Sequence, residues 1–218
     1  MKQRIPETNE GIQGEFDVTL FNEFQRSMRD RGWIETPQII ASGITQGHAL
    51  EVGPGPGYLG LEWLKSTTGT QLTGLEISAN MISVAQKNAL DYGFDAQRVR
   101  YVQGNAMAMP FESNRFDAAF SNGSLHEWER PGDVLSEIAR VLKPGGRYFV
   151  SDLRRDSSPF IKWFLNVSTQ KVMRAGLATS LQAAYTKAEL EAILLATQLR
   201  GAAVCANSIG LSVSGSLH

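Results

Sequence analysis

The feature that most constrains this chain is a strand-like apolar segment that runs directly into a loop of alternating glycines. The segment ends at Glu51 and Val52, and the loop reads Gly53-Pro54-Gly55-Pro56-Gly57. A backbone with glycine at every second position lacks Cβ atoms there, so it can turn sharply and lie flat against a ligand. The apolar run from Tyr58 to Leu64 then indicates a helix. This order predicts a nucleotide-cofactor loop in an α/β fold.

Glu51 discriminates between the cofactors that such a loop can bind. A carboxylate beside a bound pyrophosphate would repel it, whereas the same carboxylate would attract a cationic amino-acid group. This favours S-adenosylmethionine (SAM), whose methionine half carries an ammonium and a sulfonium. The alternative is a dinucleotide, because the register from Gly55 to Gly60 satisfies G-x-G-x-x-G. That register would extend the strand to about Pro54, although Gly53 and Pro54 are poor strand residues.

Composition limits the classes of protein to consider. The 218 residues carry a formal net charge of −1 and are 42% hydrophobic, which suits one domain with a sizeable core. No apolar run approaches the ~20 residues of a membrane span, and the N-terminus lacks an apolar signal core. We therefore expect a cytoplasmic protein without a membrane partner. The near-zero charge also argues against a nucleic-acid partner, and oligomeric state stays open.

Metal and thiol chemistry are not expected. His48, His126 and His218 are scattered, and none lies at ligand spacing to a cysteine or a second histidine. The single cysteine, Cys205, lies in a run of small apolar residues, so we expect it to be buried.

Between the glycine loop and about Arg155, short apolar runs alternate with helical ones, which predicts βαβ units and a parallel sheet. The predicted strands are 48–52, 71–75, 99–103, 115–120 and 147–152. The predicted helices cover 58–65, the segment from the N-cap Ser78 to about Leu90, and a segment that Asp133 caps and Lys143-Pro144-Gly145-Gly146 stops. A capping box at Thr186 and Glu189 opens a helix to about Gln198, and 202–206 with 211–214 can close the sheet as a hairpin.

Two segments fall outside this alternation and are candidate lids. Near the N-terminus, five apolar residues recur at helical spacing, and Thr36-Pro37 begins a second helix. The five are Phe16, Leu20, Phe21, Phe24 and Met28. From 158 to 175, a helix rich in bulky apolar residues such as Trp163 and Phe164 interrupts the alternation. We accordingly divide one domain into a helical cap (1–45), a cofactor-binding core (46–155), a helical insertion (156–180) and a C-terminal helix with hairpin (181–218). Packing on the sheet is the alternative for both lids.

Candidate site residues cluster where predicted strands end. Glu76 ends the second strand, close to the ~20 residues after the loop at which an acidic residue meets ribose hydroxyls. His126 lies just beyond the fourth strand and is the candidate general base, with a backbone-bonded structural histidine as the alternative. Tyr185 and Glu127 are weaker candidates. After the fifth strand, Arg154-Arg155 could meet a carboxylate or phosphate of the acceptor, or could be solvent-exposed charges.

From Ala49 to about Leu195, the chain resembles the class I SAM-dependent methyltransferases, in the UbiE-like branch that acts on small molecules. The segments that carry the resemblance are 51–57, 75–81, 104–106, 116–127 and 143–146. Individually they are short, but their order and spacing are specific. Asn105 stands where the family has Asp, and its amide oxygen can still accept a hydrogen bond from the adenine amino group.

The resemblance implies an α/β fold with a doubly wound, mostly parallel seven-stranded sheet in the order 3-2-1-4-5-7-6. It also implies SAM as the cofactor. The implied cofactor-binding residues are Glu51, Gly53, Gly55, Gly57, Glu76, Ile77, Met81, Asn105, Ala106 and Ser121. The acceptor site would be built from the N-terminal helix around Phe21 and Phe24, from His126, and from the insertion around Trp163 and Phe164.

Two differences from nucleic-acid methyltransferases narrow the range of expected acceptors. The residues after the fourth strand, 121–124, lack the Asn/Asp-Pro-Pro-aromatic clamp of nucleic-acid amino methyltransferases, and no Pro-Cys pair suits a cytosine-C5 enzyme. The expected function is methyl transfer from SAM to a small-molecule acceptor. An NAD-dependent oxidoreductase and a non-catalytic SAM-binding partner protein remain the alternatives.

Overall fold

The computed structural model describes residues 4–6 and 14–217, without the side chains of residues 15 and 16. The predictions that concern the side chain of Phe16 and His218 therefore lie outside the described residues.

The centre of the fold is a seven-stranded sheet in the order β3-β2-β1-β4-β5-β7-β6, which confirms the predicted order. Its strands are β1 (His48–Val52), β2 (Gln71–Glu76), β3 (Val99–Gln103), β4 (Phe116–Asn122), β5 (Leu142–Leu153), β6 (Ala203–Ala206) and β7 (Gly210–Ser216). The first five strands pair in parallel, and the β6–β7 hairpin joins β5 in antiparallel fashion. The carboxyl ends of the parallel strands thus share one edge, where α/β folds bind their ligands.

Helices cover both faces of this sheet. They are α1 (Glu15–Asp30), α2 (Thr36–Ala41), α3 (Tyr58–Lys65), α4 (Ala79–Asp91), α5 (Pro131–Val141), α6 (Pro159–Ser168), α7 (Arg174–Ala183) and α8 (Lys187–Leu195), with short 3-10 turns at Leu125–Glu127 and Lys171–Met173. The Ser78 cap and the Thr186–Glu189 capping box form as predicted.

Alternation along β1 divides the core between the two faces. Leu50 packs with α5 and α8 residues on one face, whereas Ala49 packs with Leu61 and Trp63 of α3 on the other. Because successive side chains of a strand point to opposite faces, the continuous apolar run of β1 fills both layers. This double burial fixes the strand end from which the glycine loop departs.

Three local predictions were wrong. Helix α5 begins at Pro131 with Arg130 as N-cap, because proline suits the first helical turn, and Asp133 instead pairs with Arg130 at 3.0 Å. Segment 143–146 does not stop a helix but belongs to β5, whose pairing with β4 shifts register between Phe116 and Ala118. Cys205 is exposed, because β6 is an edge strand and its alternation turns Val204 inward.

The insertion after β5 packs differently from the rest of the molecule. Helix α6 has no buried residue, and it exposes 67% of Phe160 and 58% of Trp163. Helix α7 buries Leu181 and Ala183 and so attaches the insertion to the body of the fold. Among the described residues no helix is long and apolar enough to span a membrane, and none of their acidic, histidine and cysteine side chains form a metal-binding group of three.

Candidate active site

A cleft opens at the carboxyl ends of β1, β2, β3 and β4, and most of the predicted cofactor residues line it. Those lining it are Glu51, Gly53, Gly55, Glu76, Ile77, Met81, Asn105 and Ala106. Gly57, Ser121 and His126 do not belong to the lining. The cleft is therefore built by four strand ends and the loops that follow them.

The glycine loop requires its glycines for backbone geometry. Strand β1 ends at Val52, and Gly53, Gly55 and Gly57 adopt φ of 68°, 53° and 85°. These left-handed values are strained for any residue with a side chain. A Cβ on Gly55 would also lie 3.3 Å from the Phe21 ring. The dinucleotide register needs a strand that runs to about Pro54, and the observed strand end disfavours it.

Glu76 ties the glycine loop to the start of α4. Its Oε2 accepts a hydrogen bond from Gly55 N at 3.0 Å, and its Oε1 accepts one from Ser78 N at 3.0 Å. Burial raises the pKa of this carboxyl, and the backbone N–H groups of Ser78 and Gly55 partly offset that rise. The carboxylate is thus held in one orientation, and each oxygen keeps a further lone pair for a ligand.

Glu51 is a buried carboxyl without its full set of partners. It is only 2% exposed, and its Oε2 has no hydrogen-bond partner among the described residues. Burial raises the pKa of Glu51 to about 8, the backbone of Gly60 partly offsets this, and the nearby Glu76 raises it further. A buried group in this condition is stabilised by a cation. The ammonium and sulfonium of SAM therefore fit the chemistry of this side of the cleft.

The opposite wall of the cleft is apolar with a polar rim. Met81 is buried at 2% exposure, while Ile77 is 37% exposed. The Oδ1 of Asn105 accepts a hydrogen bond from Met107 N at 2.8 Å, which fixes the amide at the mouth. Such a surface can pack on a flat ring and contact its polar edge.

Gly57 and Ser121 shape the cleft from behind. Gly57 is the N-cap of α3, and a Cβ there would lie 2.5 Å from Tyr101 Oη. Ser121 is fully buried, and its hydroxyl donates to Val52 O at 2.7 Å. The first residue allows the turn and the second joins β4 to β1, just before the loop.

His126 is buried behind the cleft and pairs with Asp152. Its Nδ1 lies 2.9 Å from both Asp152 carboxylate oxygens, and its backbone N donates to Asp152 Oδ2 at 2.7 Å. Arg4 Nη2 donates to the His126 carbonyl at 2.9 Å, and the Arg4 guanidinium lies 4.3 Å from the centre of the Tyr185 ring. Histidine, carboxylate and tyrosine therefore form one buried layer over the ends of β4 and β5, and the neighbouring Glu127 lines the cleft.

The structure adds site residues that sequence reasoning missed. Ser124 donates to Gly53 O at 3.2 Å and lines the cleft. Tyr101 packs under the loop, since its ring occupies the space that a Cβ on Gly57 or Gly74 would need. The pairing of β2 with β3 sets Gly74 opposite Tyr101, and a glycine inside a predicted strand was the signal that could have revealed this contact. Phe21 and Gln25 bring α1 to the cleft itself.

Of the residues expected at the acceptor site, the structure brings only some together. Phe21 lines the cleft, whereas Trp163 and Phe164 are exposed on α6 and do not. Arg154 pairs with the Asp156 carboxylate at 2.7 Å. Arg155 is buried, and it donates to Ala184 O at 2.6 Å and pairs with Glu189.

Comparison with known proteins identifies relatives of this chain. A family model described as a methyltransferase domain matches residues 50–150. The chain is 34% identical over 114 residues to the ubiquinone/menaquinone biosynthesis C-methyltransferase UbiE of Cereibacter sphaeroides, a match covering 52% of this chain and 45% of that protein. It is 30% identical over 162 residues to the UbiE of Azotobacter vinelandii, a match covering 73% of this chain and 62% of that protein. The chain thus spans about half the length of the curated relatives it matches.

The fold itself has solved counterparts. A putative SAM-dependent methyltransferase from Methanococcus maripaludis superposes with a TM-score of 0.73 at 22% identity, covering 98% of this chain and 95% of that one. Sheet order, glycine loop, domain match and relatives agree with one another. The chain belongs to the class I SAM-dependent methyltransferases and is UbiE-like.

Proposed function

We propose that this protein transfers a methyl group from SAM to a small-molecule acceptor and releases S-adenosylhomocysteine. The observation that carries the proposal is the buried Glu51 carboxyl, whose Oε2 lacks a partner at the edge of a glycine-lined cleft. A pyrophosphate there would further disfavour the ionised carboxylate, whereas an ammonium would favour it and supply its counter-charge.

In this proposal the residues of the cleft divide the cofactor between them. Glu51, Gly53 and Gly55 hold the methionine part, and Glu76 accepts from the ribose hydroxyls. The other four predicted cofactor residues that line the cleft contact the adenine: Ile77, Met81, Asn105 and Ala106. Gly57 and Ser121 do not contact the cofactor but hold the backbone of the glycine loop in the conformation that binds it.

Methyl transfer from SAM requires little chemical activation by the protein. The sulfonium of SAM supplies an already electrophilic methyl group with a neutral thioether as leaving group. The protein must align the acceptor and keep water out, and such orientation lowers a barrier by several kcal/mol. The fixed Glu76 and the glycine loop suit this role, because they define one cofactor position.

We propose His126 as the general base for acceptors that lose a proton. Its contact with Asp152 is through Nδ1, so proton transfer would use Nε2. A carboxylate that orients a histidine in this way is a common arrangement in acid–base catalysis. Because the ring is outside the cleft lining, the acceptor would have to approach from the β5 side.

The proposal of a small-molecule acceptor is supported by the activities that the names of the relatives state. Besides the UbiE proteins, they include an O-methyltransferase from Aspergillus sclerotiorum that is 39% identical over 112 residues and a sterol 4-C-methyltransferase from Caenorhabditis elegans that is 35% identical over 106 residues. These names cover both carbon and oxygen acceptors. The cytoplasmic location and the lack of nucleic-acid and membrane partners stay predictions.

Two measurements test the proposal. Calorimetric titration should show S-adenosylhomocysteine binding and no NAD binding, and the reverse result would establish the oxidoreductase alternative. Incubation with methyl-labelled SAM and a small-molecule extract of the source cells should then transfer label to a product. Binding without transfer would favour a non-catalytic SAM-binding protein.

A further inference from the structure

A second groove, which we call the insertion groove, lies beyond the end of β5. It is formed by α6, α7, Ile5 and the residues directly after β5, and it has a volume of about 670 Å³. Three cations from the segment after β5, from α6 and from α7 line it: Arg155, Lys162 and Arg174. The apolar side chains of Leu177 and Leu181, also on α7, line it too. The groove therefore combines basic and apolar side chains.

Helix α6 leaves its aromatic side chains exposed beside this groove, with Phe160 67%, Trp163 58% and Phe164 44% exposed. Among its other apolar residues, Ile161 and Leu165 are half-buried. Its polar residues Lys162 and Asn166 line the groove. A surface helix ordinarily buries its apolar side. Helix α6 therefore gives up part of this apolar burial while it places a lysine and an amide on the groove.

The charges around the groove do not cancel. Residues 157–188 contain four basic and no acidic side chains. The one acidic residue of the lining, Asp156, is held by both Arg154 nitrogens at 2.7 and 2.9 Å. Within the described part of the chain, neither Lys162 nor Arg174 pairs with a carboxylate. The groove thus keeps an uncompensated positive charge that an anion would neutralise.

Of the cations that the structure describes at the groove, Arg155 is the one that is buried and held in a fixed position. It is 7% exposed and is held by Ala184 O and by Glu189, while its Nε has no hydrogen-bond partner among the described residues. Burying a guanidinium with one unsatisfied donor is costly. A nearby anion would reduce that cost electrostatically, even without direct contact with Nε.

The groove adjoins the cofactor cleft. Arg155 lies two residues beyond the end of β5, which pairs with β4, and Ser151 of β5 is in register with Asn122, a cleft residue. Neighbouring strands are about 5 Å apart. Ile5 lines the groove, and the preceding Arg4 donates to the carbonyl of His126, which precedes the cleft residue Glu127. The groove is therefore linked to the cleft through the candidate base His126.

We propose that the insertion groove binds the carboxylate or phosphate of an amphipathic acceptor, whose apolar part packs on Leu177, Leu181 and Ile5. The inference rests on the proposed methyl transfer and adds the chemical class of the acceptor. The anionic group is the recognised end of the molecule and is not the atom that receives the methyl group.

Four probes test the site directly on the full-length protein with S-adenosylhomocysteine present. Octanoate and n-octyl phosphate carry both features, 1-octanol lacks the charge, and inorganic phosphate lacks the apolar part. We expect one or both anionic amphiphiles to bind at least about tenfold more tightly than the other two probes. The stronger of the pair identifies the carboxylate or the phosphate. Equal binding of octanol, or no saturable binding of any probe, overturns the proposal.

A charge-reversal pair locates the binding. Lys162→Glu with Arg174→Glu should weaken binding of the preferred amphiphile by at least about tenfold. The matched control is Lys171→Glu, because Lys171 is exposed in the same insertion and does not line the groove. Similar losses in both variants overturn the assignment. Unchanged S-adenosylhomocysteine affinity in all variants checks that the fold is intact.

A third measurement connects the groove to the reaction. Labelled products made from the small-molecule extract should be retained on an anion-exchange resin at neutral pH, because the recognised anion survives methylation. Labelled products that are all neutral overturn the proposal but leave methyl transfer itself established. Failure of the proposed function would appear separately, as absence of cofactor binding or of any labelled product.

Discussion

The cofactor cleft and the insertion groove are adjacent but are built on opposite principles. In the cleft, Glu51 and Met81 are each 2% exposed, and the loop glycines take backbone angles that few other residues tolerate. Around the groove, α6 buries none of its residues. The family model matches 50–150 and ends before the insertion. Backbone geometry thus defines the side that lies within the family match, whereas surface side chains define the side that lies outside it.

The largest expected effect falls on the backbone of the cleft. Gly55→Val should abolish S-adenosylhomocysteine binding, because valine is strained at a φ of 53° and its Cβ would meet Phe21. Calorimetry measures the loss, and circular dichroism checks the fold. The matched control is Gly93→Val, which has similar strain at φ 79° in open space and should keep its affinity. Native affinity in a folded Gly55→Val protein would remove the loop from the binding site.

The next largest effect should appear in turnover alone. His126→Asn keeps a side-chain N–H for Asp152 but cannot act as a base near neutral pH. We expect kcat to fall by at least about 100-fold for an acceptor that must lose a proton. Cofactor affinity should not change, since His126 does not line the cleft. If kcat were also unchanged, His126 would be only a structural partner of Asp152.

Glu76 should affect the cofactor side more moderately. Glu76→Gln should weaken S-adenosylhomocysteine binding by roughly 1.5–3 kcal/mol, the scale of charge-assisted hydrogen bonds. Glutamine also presents N–H groups to Gly55 N or Ser78 N, so part of the loss comes from the loop itself. A 2′,3′-dideoxy analogue separates the ribose contribution from the loop contribution. It lacks the ribose hydroxyls, so Glu76→Gln should weaken its binding less than that of S-adenosylhomocysteine. Equal losses would show that Glu76 acts only by holding the loop.

Glu51 should make cofactor binding depend on pH. Its pKa of about 8 in the ligand-free fold means that a proton is bound at neutral pH, and a bound ammonium favours its release. Affinity for S-adenosylhomocysteine should therefore rise by up to about tenfold per pH unit towards pH 8 and then level off. The same group lowers the stability of the free protein as pH rises from about 4.5 to about 8, because the folded state prefers the protonated form. Glu51→Gln should flatten both profiles, and a sloped profile in that variant would assign the proton to another group.

The smallest effect is expected on the exposed side of the insertion. Trp163→Ala should change the free energy of unfolding by less than about 0.5 kcal/mol, because the side chain is 58% exposed. Its matched control, Trp63→Ala in the core, should cost about 3–5 kcal/mol. Chemical denaturation measures both. A loss above 1 kcal/mol at Trp163, on the same scale, would mean that another surface covers this side of α6.

Much of the fold could be predicted from the sequence because its signals are local. The run that forms β1, the glycine loop and the capping box each depend on neighbours within a few residues. The strand order 3-2-1-4-5-7-6 came from the family resemblance, and the structure confirms it. Local signals failed where a partner strand decides the outcome. The edge position of β6 exposes Cys205, and pairing with β4 extends β5 back to Leu142.

The sequence by itself indicated the cofactor side, since alternating glycines allow a tight turn against a ligand and the acidic residue at the strand end favours a cationic ligand. Tertiary structure alone decided which oxygen of Glu51 lacks a partner, that Tyr101 fills the space under Gly57, and that α6 turns its lysine inward and its aromatic residues outward. These outcomes depend on contacts between residues far apart in the chain. The periodicity of a helix marks its two faces, but only packing against the remainder of the molecule decides which face meets the solvent.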